Sequence, residues 1–206
     1  MSHLSLHFKT IFIILFIAMM CPSVYGQKSA NNVKIKKDTT YISYWKELQK
    51  LCGKSYKGVV FAGAQNDTTF AGKDLVMHVK KCSQNVIKIP FYVGNDYSRT
   101  WVLTKTANGI LLKHDHRHHD GSPDKVTMYG GHTTNYGNST RQTFPADQET
   151  VDILPAAIGN VWWIEIISGK LFTYNLRRVN TDRYFSVHFD LSKETETPPA
   201  PWGWKE

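Results

Sequence analysis

Short segments in which apolar and polar residues alternate dominate this 206-residue chain, and they constrain its fold more than any other feature. The two clearest segments carry Ile87, Ile89, Phe91 and Val93 in one case, and Phe185, Val187, Phe189 and Leu191 in the other. A period of two is typical of a strand with one buried face. Glycine, asparagine and aspartate separate such segments, as turns require. Further strands are predicted near residues 57–62, 74–81, 99–106, 109–118, 126–130, 161–167 and 171–178.

The turns between these segments indicate how the strands pair. Asn108-Gly109 and Ser168-Gly169 are typical of tight hairpins, so the strands on either side should be antiparallel. A sheet of about eight to ten such strands must protect its edges, and closure into a barrel does so. We therefore predict an all-β fold, an antiparallel up-and-down β-barrel, with a two-sheet β-sandwich as the alternative.

The first 26 residues have the order of an export signal. Lys9 precedes ten consecutive apolar residues, Ile11–Met20, and the small-residue exit Val24-Tyr25-Gly26 follows. The apolar run is half of the roughly 20 residues that a membrane-spanning helix needs. Cys21 raises the alternative of a lipid anchor, but the bulky Met20 precedes it. We expect cleavage near Gly26 and a mature protein that is secreted or periplasmic, with no stable membrane insertion.

The mature chain divides into three parts. Residues 27–40 are polar and lysine-rich and predict a disordered leader. Residues 41–193 should form the single barrel domain, and residues 194–206, rich in proline and tryptophan, an extended surface tail. The domain should begin with a short helix, because apolar residues recur on one helical face and Gly53 then ends the pattern. These residues are Tyr41, Trp45, Leu48 and Leu51.

Cysteine content and charge limit the chemistry of the mature chain. Loss of residues 1–26 removes Cys21 and leaves Cys52 and Cys82, an even count that predicts a disulfide in an oxidising compartment. Two buried thiols are the alternative. The same loss removes one lysine and lowers the formal charge from +8 to +7. Because the basic residues are scattered, we expect no nucleic-acid partner, and we expect a monomer.

Two resemblances bear on the fold and on the location of the chain. The segment from Leu51 to Gly58 resembles the opening strand of calycin-type barrels, the lipocalin and nitrobindin-like group, with Tyr56 where those families usually have tryptophan. The mature chain is also similar to an uncharacterised family of secreted bacterial proteins, which implies export but no activity. The blocks that carry this similarity are 98–102, 114–117, 120–122, 129–131, 144–147 and 160–163.

The densest candidate chemistry is the histidine-rich segment 113–120. If the strand that begins at Ile110 continues, alternation places His114, His116 and His118 on the inward face with Ile110 and Leu112. Imidazole nitrogens suit a divalent transition metal such as zinc, and His132 could supply a further ligand. Two alternatives stay open, namely a polar hydrogen-bonded network that lines a pocket and an exposed turn.

Other candidates for a ligand site lie on neighbouring strands. Together with His114 and His116, the predicted ligand-binding residues are Arg99, Trp101, Trp163 and Glu165. The favoured function is a non-catalytic barrel that binds a small molecule at one mouth. A metal-binding protein or metal-dependent hydrolase is the first alternative, and a surface interaction factor that uses the C-terminal tail is the second.

Overall fold

Alternating apolar residues form the strands of a single antiparallel sheet that curls into a nearly closed barrel. The computed structural model describes residues 40–63 and 68–205. The export signal predicted for residues 1–26 and the leader up to residue 39 lie outside these ranges. No helix in the described ranges is long and apolar enough to cross a membrane.

Helix α1 spans Thr40–Gln49 and precedes all the strands. The strands are β1 Ser55–Ala62, β2 Leu75–His78, β3 Lys81–Cys82, β4 Val86–Val93, β5 Asp96–Thr106, β6 Gly109–His116, β7 Tyr129–His132, β8 Arg141–Pro145, β9 Asn160–Ile167, β10 Leu171–Arg178 and β11 Tyr184–Glu194. Helix α2, Gln148–Ile153, and a 3-10 turn, Pro155–Ala157, lie between β8 and β9.

The strand order confirms the predicted antiparallel barrel and excludes the sandwich. Neighbours follow the order β7-β6-β5-β4-β2-β1-β11-β10-β9-β8, and the short β3 pairs with β4.

Sequence alternation did not identify β8, because this short strand buries the polar Gln142 beside Phe144 and ends at Pro145. Strand β6 is shorter than predicted, because the chain turns after His116 and the His118 N–H bonds to the Ser122 carbonyl.

The seam between β7 and β8 closes the barrel without a regular ladder. The Asp147 N–H donates to the Gly130 carbonyl at 3.0 Å. The Thr150 hydroxyl donates to the same carbonyl at 2.7 Å and accepts from the Gly130 N–H at 2.6 Å. Gly131 allows the close approach, since a Cβ there would lie 1.7 Å from the Pro145 carbonyl oxygen. The buried Lys113 ammonium adds ion pairs to Asp147 at 2.9 Å and to Glu149 at 2.6 Å.

Helix α1 covers the end of the barrel where the β5–β6 hairpin turns. The Tyr44 hydroxyl donates to the Ile164 carbonyl at 3.4 Å, and the Lys105 ammonium lies 5.6 Å from the centre of the Trp45 ring. Tyr41, Tyr44, Trp45 and Leu48 are all buried against the core. The helix therefore fills one end of the lumen with aromatic side chains, and any internal cavity must lie towards the other end.

A disulfide joins Cys52, just after α1, to Cys82 on β3, as predicted, with 6.1 Å between the Cα atoms.

The C-terminal segment runs along the outside of β4 and β5. There the Tyr92 hydroxyl donates to the Pro199 carbonyl at 2.8 Å, and the Trp202 N–H donates to the Tyr97 carbonyl at 3.1 Å.

Candidate ligand-binding site

A cavity of about 590 Å³ occupies the end of the barrel opposite α1. Its wall includes Trp101 and His114 from β5 and β6, and Trp162 and Tyr174 from β9 and β10. Leu154, which precedes the 3-10 turn, forms part of the rim. Strands from both halves of the sheet thus contribute to one concave site.

Stacked aromatic rings form the floor of the cavity. The Trp101 ring lies between Phe91, at 4.8 Å and 18°, and Tyr174, at 4.3 Å and 17°. The His114 ring stacks on Tyr129 at 4.7 Å and 12°. Alternation along β5 and β6 explains the placement, because Leu103 and Leu112 continue the same inward faces into the core. The floor is therefore closely packed and largely apolar.

His114 is a neutral imidazole with a defined tautomer. Its Nδ1 lies 2.9 Å from the Tyr129 carbonyl oxygen, which can only accept, so Nδ1 carries the proton. Its Nε2 lies 2.6 Å from the Tyr174 hydroxyl and accepts from it. Burial lowers the pKa of His114 to about 3. Both ring nitrogens are thus engaged by the protein.

The Tyr174 hydroxyl sits at the centre of this polar group. Burial raises the pKa of Tyr174 well above its ordinary value, so the hydroxyl keeps its proton for His114. Contacts with the indole N–H groups of Trp101 and Trp162 counter part of this rise. A buried polar group costs free energy unless it is hydrogen-bonded, and this arrangement satisfies the polar atoms of the floor.

His116 and Tyr129 form a second pair nearer the mouth. The Tyr129 hydroxyl lies 3.0 Å from His116 Nε2. Burial raises the pKa of Tyr129 to about 12, and burial followed by the charge of Arg99 lowers the pKa of His116. Both groups are therefore uncharged near neutral pH, although each can still donate or accept a hydrogen bond.

Three arginines line the mouth. Arg99 donates to Asp96 at 2.5 Å, and its guanidinium lies 5.8 Å from the centre of the Phe70 ring. Arg178, the last residue of β10, donates from Nε to the Asn160 side-chain oxygen at 2.8 Å. Arg183 precedes β11 and also lines the cavity. No aspartate or glutamate of the described residues lines it.

The structure distributes the predicted ligand residues unevenly. Arg99, Trp101, His114 and His116 line the cavity, whereas Trp163 and Glu165 do not. Along β9 the inward positions are Trp162, Ile164 and Ile166, so Trp163 and Glu165 fall on the outer face. There Trp163 stacks on Tyr184 and lies beneath the Arg141 guanidinium. Trp163 and Glu165 therefore lie outside this cavity, contrary to the expected inward face, because both faces of this strand carry large apolar residues and its phase is ambiguous in the sequence.

Several cavity residues were not among the predicted ligand-binding residues, namely Tyr129, Trp162, Tyr174, Arg178 and Arg183. One signal could have found Arg178. Tyr174, Leu176 and Arg178 alternate along β10, so Arg178 continues an inward-facing series to the barrel mouth. No comparable pattern marks Arg183, which lies in the loop between β10 and β11.

The four histidines proposed as metal ligands occupy different surroundings. His114 and His116 face the cavity, His118 is exposed beyond the end of β6, and His132 bonds to the Thr106 hydroxyl near the far hairpin at 2.9 Å. Among the described residues, no group of three or more histidine, cysteine, aspartate or glutamate side chains has the arrangement of a metal site. A zinc-like ion at these histidines stays a prediction, which metal analysis of the purified protein and of His114→Ala and His116→Ala variants would test.

Comparisons with family models, with curated proteins and with solved structures found no match for this chain. The resemblance to calycin-type proteins is supported at the level of architecture, since the sheet is antiparallel and nearly closed and a short helix lies at its N-terminal side.

Proposed function

We propose that this chain is a secreted or periplasmic, non-catalytic barrel protein that binds a small organic ligand. The observation that carries the proposal is the cavity at the barrel mouth, about 590 Å³ in volume and walled by strands from both halves of the sheet. Ligand pockets in proteins have volumes of about 300–1,000 Å³ and combine apolar walls with a few placed polar groups.

The organisation of the barrel supports binding at this end. Helix α1 fills the opposite end, and the aromatic core continues from the helix to the cavity floor. At the floor, the Tyr174 hydroxyl donates to His114 Nε2 and the His114 Nδ1–H donates to the Tyr129 carbonyl. These hydrogen bonds favour a fixed surface over a proton-transferring centre. Arg99, Arg178 and Arg183 line the mouth, where they can orient a ligand that enters from solvent.

A cavity-blocking variant tests the proposal. A thermal-shift screen of a chemically mixed set of small molecules should identify compounds that raise the melting temperature of the parent protein. Leu154→Trp should abolish these shifts, because Leu154 lines the cavity. Ile153→Trp is the matched control, since the neighbouring Ile153 is 39% exposed and does not line it. Compounds that stabilise the parent and Leu154→Trp equally, or a screen without stabilising compounds, would contradict the proposal.

A further inference from the structure

We propose that the ligand is an apolar organic anion, whose charged group lies between Arg178 and Arg183 and whose apolar part enters the cavity. This inference rests on the proposed ligand-binding function and adds the chemical class of the ligand.

The β10–β11 hairpin holds the two arginines together. The Arg178 N–H donates to the Arg183 carbonyl at 3.0 Å, so the two residues face each other across the loop. Both side chains line the cavity. Burial, and then the charge of Arg183, lowers the pKa of Arg178, which is consistent with this proximity. Two like charges in one place repel each other, and a bound anion relieves that repulsion.

No carboxylate of the described residues forms an ion pair with either arginine. Within the described ranges, the ion pairs of the barrel mouth include Arg99 with Asp96 but none for Arg178 or Arg183. The Arg178 Nε–H donates to the neutral amide oxygen of Asn160, which orients the guanidinium and leaves its terminal N–H groups available. Asp96 and Asp124, whose charges raise the pKa of His116, belong to the opposite side of the mouth. The β10–β11 hairpin itself carries Asp182 beside Arg177, Arg178 and Arg183, so its net charge is positive.

The field of Arg183 acts inside the barrel as well as at the surface. The charge of Arg99, and then that of Arg183, counters the rise in pKa of Tyr129, and the charge of Arg183 also counters that of Tyr174. Arginine forms paired hydrogen bonds with acidic groups and is well suited to hold a carboxylate, sulfonate or phosphate. An anion at this position would therefore have its remaining atoms directed at the aromatic floor.

The floor itself is complementary to an apolar group. His114 is neutral, and its two ring nitrogens are bonded to Tyr129 and Tyr174. Among the described residues, the buried side-chain polar atoms that have no partner are Trp45 Nε1 and Gln142 Oε1, and neither residue lines the cavity. No buried atom of the floor therefore requires a polar group from the ligand.

Two fluorescent probes with one carbon skeleton test the inference. The probes are 1-anilinonaphthalene-8-sulfonate, an anion, and N-phenyl-1-naphthylamine, which lacks the sulfonate. We expect the anion to bind about 10-fold or more tightly than the neutral probe, since hydrogen bonds to a charged group have this effect on affinity. Arg178→Met and Arg183→Met should each remove most of this preference, and added salt should weaken binding of the anion alone.

Arg177→Met is the matched control, because it removes the same charge from the same strand at an exposed position that does not line the cavity. Arg178→Met loses the hydrogen bond to Asn160 and could be destabilised for that reason. Arg183 is exposed in a loop, so Arg183→Met should fold and keeps the inference testable. Equal affinities for the two probes, both lost in Leu154→Trp, would overturn the anion inference and leave the binding function intact. An Arg177→Met effect as large as that of Arg183→Met would also overturn it. If neither probe binds, the anion inference fails, and the thermal-shift screen of parent and Leu154→Trp alone decides the binding function.

Discussion

The Tyr174 hydroxyl on β10 donates a hydrogen bond to His114 Nε2 on β6, over a distance of 2.6 Å across the barrel lumen. The two residues are 60 positions apart in the sequence and belong to opposite halves of the sheet. Because the His114 Nδ1–H is bonded to the Tyr129 carbonyl, this single contact completes the hydrogen bonding of a buried imidazole. It links the two walls of the cavity and sets the position of its floor.

Removal of this hydroxyl should destabilise the protein. Tyr174→Phe leaves the buried His114 Nε2 without a donor, and an unsatisfied buried polar atom costs about 1–3 kcal/mol. Urea unfolding would measure the loss. Tyr92→Phe is the control, because it removes a tyrosine hydroxyl whose acceptor, the Pro199 carbonyl, belongs to the exposed C-terminal segment and can bond to water. Equal losses in the two variants would contradict the importance of the His114 contact.

Stability should fall as the pH falls below about 6.5. An unfolded histidine titrates near 6.5, whereas burial lowers the pKa of His114 in the fold to about 3. Between these values the unfolded chain binds a proton that the folded protein does not bind. The free energy of unfolding is therefore unaffected by the protonation of His114 above pH 6.5. Below that pH it decreases by about 1.4 kcal/mol per pH unit until about pH 3. His78, His116 and His188 also have lowered pKa values, so their contributions have the same sign.

Urea unfolding of the parent and of His114→Gln at several pH values between 7 and 5 would isolate this contribution. The variant has one titrating group fewer, so its free energy of unfolding should decrease less steeply with falling pH. The slope is informative even if the variant is less stable at every pH. Parallel curves for the two proteins would show that His114 is protonated equally in the folded and unfolded states.

Alternation was sufficient to predict most of the strands, because each buried face repeats every second residue regardless of what lies opposite, and the hairpin turns and the need to protect sheet edges then favoured the barrel. The disulfide was predictable from the cysteine count, since only Cys52 and Cys82 follow the predicted export signal. Strand β8 was not predictable in this way, because it places Gln142 in the interior and ends at Pro145.

The residues that line the cavity could not be predicted in full, because their positions depend on strand order and register. Strand order and register decide that Tyr174 meets His114, and neither follows from local pattern. In β9, Trp162 and Trp163 are adjacent and equally apolar, so the choice of the inward residue required the pairing with β10. Arg183 reaches the cavity from a loop, where side-chain direction has no fixed period.

Gly131→Ala should disrupt the closure of the barrel. Its Cβ would lie 1.7 Å from the Pro145 carbonyl oxygen, and that contact involves backbone, which cannot rotate away. We expect a loss of stability of at least about 3 kcal/mol, the upper end for overpacked positions. Gly169→Ala separates this steric effect from backbone strain, because Gly169 has a φ of +66° but no atom within 4 Å of its Cβ position. Hydrogen exchange at the Asp147 amide, which bonds across the seam, should accelerate in Gly131→Ala. Unchanged exchange there would mean that the seam tolerates a side chain.

Loss of the disulfide should lower stability by about 3–4 kcal/mol, because the bond between Cys52 and Cys82 closes a loop of 30 residues in the unfolded chain. Cys52→Ala/Cys82→Ala, compared with the parent in urea unfolding, would measure this loss. The end of α1 is tied to β3 by this bond, so the helix amides should lose hydrogen-exchange protection more than those of β9 and β10. Treatment of the parent with a reductant should reproduce the variant's midpoint. A double variant as stable as the oxidised parent would show that the barrel alone constrains this loop.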